Sequence, residues 1–187
     1  MCIICYKAAG ERMPNKREFT NMFVNNPDGC GYMFARNEKV IIRKGFDNLE
    51  DYRRSLKMDK ITRNDVIVFH FRIATQAFRM EMTQPFPISA KTELLEAWDC
   101  IADAGLAHNG VIRKTTNGDV NLSDTALYIQ KYIAGREITD EFVKEVERDA
   151  GGRMVFLKGN GEAFFTGNWV KKDGLMFSNY SFLQRRM

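Results

Sequence analysis

The spacing of apolar positions changes period along the chain, and each change marks an element. CIICYK (2–7) is a β-branched run and predicts a first strand. KREFTNMFVNN (16–26) places Phe19, Met22 and Phe23 at helical spacing, and NPDG closes that helix as a turn. GYMFAR (31–36) and KVIIRKG (39–45) predict a hairpin, LEDYRRSLK (49–57) a short helix, and DVIVFHFRIAT (65–75) a long, largely buried strand. Beyond TQPFPISA (83–90), GLAHNGVIRK (105–114) reads as a strand interrupted by Gly110 and followed by the turn residues TTNGD. SDTALYIQKYIAG (123–135) is a helix capped by Ser123 or Asp124 and stopped by Gly135, and TDEFVKEVERDAGG (139–152) is a second with the same punctuation. RMVFLKGNGEAFFTGNWV (153–170) and LMFSNYSF (175–182) return to hairpin-rich strands. Strands, then central helices, then strands again predict one α+β domain over residues 1–187 with a mostly antiparallel sheet.

Composition narrows the class. A chain of 187 residues suits one domain with a substantial core and not two. Its net charge of +4 is spread without a dense basic cluster, and no platform of alternating basic and aromatic residues is present, so no nucleic-acid partner is expected. No apolar run approaches the ~18 residues of a membrane span, and the first residues do not have the pattern of a secretory signal. Four cysteines in that setting point to reduced thiols in a cytoplasm.

Three short motifs fit poorly as core. Arg72 ends the apolar strand of HFRIAT (70–75), where a guanidinium is costly unless paired; it is either a satisfied structural arginine or a fork for a substrate carboxylate. His108-Asn109-Gly110 is either a bulge with an Asn-Gly turn pair or an oxyanion cradle made from an amide side chain and a closely approaching N–H. Ser123-Asp124-Thr125 is an ordinary helix cap, or it presents a carboxylate to an ammonium group. If Asn117-Gly118 is a hairpin tip, Val111 lies opposite Asp124 and Asn109 opposite Ala126, which brings the second and third motifs to one end of a sheet. Cys2 and Cys5 are three apart, so in a strand their thiols face opposite ways. That spacing suits neither a thioredoxin-type pair at a helix start nor a four-ligand zinc site, and Cys5, Cys30 and Cys100 are expected to be packing residues.

Taken in order, these pieces resemble the class II glutamine amidotransferase domain, an N-terminal-nucleophile (Ntn) hydrolase. That family begins Met-Cys and carries His-x-Arg-x-Ala-Thr, His-Asn-Gly and Ser-Asp-Thr; here these are Cys2, HFRIAT (70–75), HNG (108–110) and SDT (123–125). NPDGCGYMF (26–34) is similar to the Asp-Gly-x-Gly segment of small members, and QPF (84–86) to the family's His-Pro-Phe, with Gln84 in place of His and Ile3 in place of the usual Gly. The resemblance spans roughly residues 2–180 and implies a four-layer αββα Ntn-hydrolase sandwich with mostly antiparallel sheets.

The same resemblance implies the roles. Cys2 would be the nucleophile and Asn109 with the Gly110 N–H the oxyanion hole. Arg72 would bind the glutamine α-carboxylate and Asp124 its α-ammonium, with Ala74, Thr75 and His108 around the substrate. Trimming of Met1 would leave the Cys2 α-amine beside its own thiol. With pKa values of about 8 and about 8.5, proton transfer between them is uphill by well under 1.4 kcal/mol. The expected enzyme releases ammonia from glutamine or another γ-glutamyl amide through a Cys2 thioester, with no cofactor and no metal. With no room for an acceptor domain, ammonia would pass to a separate synthase subunit or to solvent. The alternative is a catalytically inert Ntn-fold module that senses an amino acid or docks a partner protein.

Overall fold

The computed structural model describes residues 1–74, 79–116 and 121–183, and among these eleven strands and five α-helices build the fold. In chain order these are β1 (Ile3–Lys7), α1 (Lys16–Asn25), β2 (Cys30–Arg36), β3 (Lys39–Phe46), α2 (Leu49–Met58), β4 (Ile67–Phe71), β5 (Phe86–Pro87), α3 (Thr92–Glu96), β6 (Asp99–Ala102) and β7 (Ala104–Asn109). They continue with α4 (Asp124–Tyr128), a π-helical turn (Ile129–Ile133), α5 (Asp140–Ala150), β8 (Arg153–Lys158), β9 (Ala163–Phe165), β10 (Val170–Lys172) and β11 (Leu175–Phe177). The fold is mixed α+β, and every strand pair among the described residues is antiparallel.

One sheet of seven strands runs β10-β11-β1-β4-β2-β3-β6, and a second of four runs β5-β7-β8-β9. Side-chain alternation along the strands sorts the core into three parts. Ile3, Cys5, Tyr32, Phe69 and Phe71 face α1 and α2, whose Phe19, Met22, Tyr52 and Leu56 close the first cluster. Ile4, Met33, Ile42 and Val68 point the other way and meet Ala107, Val155 and Leu157 of the second sheet. On that sheet's far face, Leu106, Met154 and Phe156 pack against Ala126, Leu127, Ile129, Phe142, Val143 and Val146. The two thiols expected to diverge do so: Cys5 is in the first cluster, while Cys2 faces a cavity between the sheets' ends. No described helix is long and apolar enough to cross a membrane.

The helices start where their caps direct. Asn15 accepts from Glu18 N (2.9 Å) and Glu18 Oε2 from Asn15 N (2.8 Å), a reciprocal capping box. Ser123 and Thr139 cap α4 and α5. Three expectations need correction. The strand over 65–75 ends at Phe71, because the Ala74 N–H turns out to the Asp28 carboxylate (2.9 Å) and the chain leaves the ladder. The hairpin pairing of Val111 with Asp124 and Asn109 with Ala126 does not form, and Asn109 pairs with Arg153 of β8. Asp124 instead opens a helix, and its carboxylate takes the Ile112 N–H (2.7 Å), so a local turn replaces the ladder. The tip residues Asn117 and Gly118 lie outside the described residues. Finally, β5, β6 and α3 were not expected at all.

Candidate active site

Five of the predicted site residues, Cys2, Arg72, His108, Gly110 and Asp124, meet at one cavity of about 80 Å³. Its wall includes Met1, Cys2, Arg72, Ile73, Gln84, His108, Gly110 and Asp124. Each arrives by a different route. Strand β1 pairs β4 with Ile3 opposite Phe71, which sets Cys2 beside Arg72-Ile73 at the same sheet end. Strand β7 of the other sheet ends at Asn109, delivering Gly110, and the start of α4 delivers Asp124. At Gly31 the absence of a side chain lets the Gln84 segment pass, since a Cβ there would lie 2.5 Å from the Gln84 carbonyl.

The Cys2 thiol straddles one peptide unit: the Ile73 N–H donates to Sγ at 3.4 Å and Sγ lies 3.6 Å from the Ile73 carbonyl. Burial raises the thiol pKa above its ordinary value, while the Ile73 N–H, the positive chain terminus and Arg72 pull it back. The resting group is therefore a neutral thiol.

Arg72 is buried and donates to the Arg79 carbonyl (3.0 Å). Desolvation lowers its pKa, opposed by the charges of Cys2, Asp28 and Asp124. The Arg72 main chain is held on both sides, Asp28 N donating to the Arg72 carbonyl (3.0 Å) and Arg72 N to the Gly29 carbonyl (2.8 Å). The NPDG turn is thus the brace of Arg72, a role its turn chemistry alone did not disclose.

Asp124 is tied to its own loop by Ile112 N and Thr125 N, both at 2.7 Å, which fixes the carboxylate at the cavity edge. His108 lines the wall without a charge to offer. Its main-chain N–H donates to Gln84 Oε1 (2.6 Å), the ring Nδ1 meets Thr125 Oγ1 (2.9 Å), and burial depresses its pKa to about 4. His108 is therefore a neutral wall residue that aligns β7 with α4.

The remaining predicted residues sit differently from expectation. Asn109 is 1 % exposed and stands behind the wall, its Nδ2 donating to Ser178 Oγ (2.9 Å). Its Oδ1 is buried without a hydrogen-bond partner, a defect worth about 1–3 kcal/mol that is uncommon away from working sites. Ala74 is half-buried and contributes its N–H to Asp28 and not its side chain to the cavity wall. Thr75 lies outside the described residues.

No family model matches the chain. No curated protein matches it either. The reading of the site consequently stands on its geometry.

A larger surface groove of about 680 Å³ runs along β3 and α2 and holds none of the motif residues. Two of its arginines are already paired, Arg43 with Asp59 (3.2 Å) and Arg54 with Asp51 (2.7 Å). Among the described residues no cluster of three or more histidine, cysteine or acidic side chains has a geometry that would hold a metal ion.

Proposed function

We propose that this chain is a glutaminase of the class II amidotransferase type, and that its stacking of helices, sheet, sheet and helices is the αββα sandwich of the Ntn hydrolases. The observation that carries the reading is the convergence of Cys2, Arg72, Gly110 and Asp124 on one cavity from four separate segments. A thiol, a guanidinium, a carboxylate and a glycine turn are the groups an α-amino acid amide needs for attack, carboxylate binding, ammonium binding and oxyanion support.

Removal of Met1 opens the wall that this residue helps to form and frees the Cys2 α-amine. That amine takes the thiol proton, and the thiolate attacks the side-chain amide carbon of glutamine. The Gly110 N–H and the Asn109 amide receive the charge that develops on the carbonyl oxygen. The C–N bond breaks as the ammonium returns its proton to the leaving nitrogen, which departs as ammonia. Water, deprotonated by the same amine, cleaves the γ-glutamyl thioester to glutamate and the free thiol. Arg72 and Asp124 hold the two α-substituents throughout.

The test is ammonia release from a panel of γ-glutamyl amides, free glutamine included, using protein whose N-terminus is shown by intact mass to be Cys2. Turnover of one or more panel members is expected. Binding of glutamine without turnover would give the inert-module reading instead. In the active protein Asn109→Ala is expected to lower kcat by about 10²–10³ with KM little changed, the loss typical of one oxyanion donor. An unchanged kcat would remove Asn109 from that role.

A further inference from the structure

The segment after β11 contacts both halves of the proposed machinery. Ser178 exchanges hydrogen bonds with β1: its N–H donates to the Ile4 carbonyl and its Oγ accepts from Ile4 N, both at 2.9 Å. The same Oγ accepts from Asn109 Nδ2 at 2.9 Å, so one buried hydroxyl bridges the nucleophile strand of the first sheet to the end of β7 in the second. One residue on, Asn179 Nδ2 donates to the carbonyl of Cys2 itself at 2.6 Å. The other end of that amide is fixed in turn, since Asn179 Oδ1 accepts from Ser181 N (2.9 Å) and from the Ser181 hydroxyl. Asn179 therefore cannot swing away without breaking its own turn.

We infer that Ser178 and Asn179 are positioning residues, forming a clasp that sets the Cys2 main chain and the Asn109 amide at a fixed separation. The inference rests on the reading of Cys2 as nucleophile and Asn109 as oxyanion donor. Two features make it more than general packing. Asn179 grips the carbonyl one bond from the Cys2 Cα, the atom that carries both the thiol and the amine, so loss of that bond frees the rotation that aims them. Ser178 occupies one N–H of the Asn109 amide, so its hydroxyl selects the amide's orientation. Neither residue lines the cavity.

The experiment is peptide-resolved alkylation with iodoacetamide on the full chain, its N-terminal residue verified by intact mass. Asn179→Ala is expected to speed Cys2 alkylation about tenfold, the equivalent of one lost hydrogen bond, while Cys5 and Cys30 stay protected in the core. An unchanged Cys2 rate overturns the clasp. A rise at all three cysteines together also overturns it, because it would report general loosening and not local release. In the same preparations Ser178→Ala is expected to lower kcat about tenfold with KM unchanged, and a matching rise in KM would contradict positioning. If the wild-type chain releases no ammonia from any amide, the functional reading fails, and the alkylation rates still decide whether Asn179 fixes Cys2.

Discussion

Cys2→Ala is expected to abolish ammonia release, by about 10⁴-fold or more, and to leave the protein as stable as before to within about 1 kcal/mol. The two halves of that expectation come from one geometry. Cys2 is partly exposed on a cavity wall and its sulfur hydrogen-bonds to the Ile73 peptide, at 3.4 and 3.6 Å, so truncation removes less packing than in the core. No other described cysteine can replace it, because Cys5 and Cys30 are fully buried and Cys100 is on the edge strand β6, away from the cavity. Cys5→Ala makes the converse case, since its thiol packs among Ile3, Phe19 and Phe69; stability should fall by about 1–3 kcal/mol with turnover kept. A coupled ammonia assay and a urea midpoint on both variants check the pair. Activity within tenfold of wild type in the Cys2 variant would end the nucleophile assignment.

The second large effect is on stability in mild acid. His70 is fully buried between β1 and β2, and burial plus nearby Arg72 depress its pKa to about 3 against a weaker upward pull from the His108 main chain. His108 is depressed to about 4 by burial, with Asp124 opposing. In the unfolded chain both rings titrate near 6.5, so the unfolded state binds two protons that the folded state refuses. Stability contributed by the neutral rings is complete above that value and is lost as pH falls from about 6.5 toward the folded values. Between pH 7.5 and 5 the two rings together cost about 4 kcal/mol, a large share of an ordinary domain's total. Buried carboxylates such as Glu18, held low by Arg12 and the Asn15 N–H against the upward push of burial, add their losses only at lower pH. Urea midpoints at pH 7.5 and 5 measure this, and His70→Leu is expected to remove about half of the difference. A midpoint that does not move over this interval would show that the rings reach solvent or partners in the folded state.

The residues explain what could and could not be read from the chain. Helices α1, α4 and α5 were legible because their apolar spacing and caps are local, and β1 to β4 because their runs are continuous. Strand β6 escaped because it is an edge strand: Ile101 is 66 % exposed there, so its alternation reports no buried face. The Asn117-Gly118 pair suggested a hairpin that Asp124 forestalls by capturing the Ile112 N–H, a competition between two local hydrogen-bonding choices that composition does not rank. Cys2, Arg72, Gly110 and Asp124 were legible as motifs. Ser178 and Asn179 were not, since "FSNYS" has no local peculiarity and their partners Ile4 and Cys2 are 174 and 177 residues away.

That distance has a consequence during synthesis. Strand β1 lies between β4 and β11, so its second neighbour exists only after residue 177 has been made. At about 5–20 residues per second, the first residues wait roughly 10–40 s for their final partner. Through that interval the Cys2 carbonyl lacks its Asn179 partner and β1 lacks its Ser178 contacts. The Cys2 main chain and the Asn109 amide are bridged only when the nascent chain is nearly finished, so a half-made polypeptide lacks the assembled cavity end.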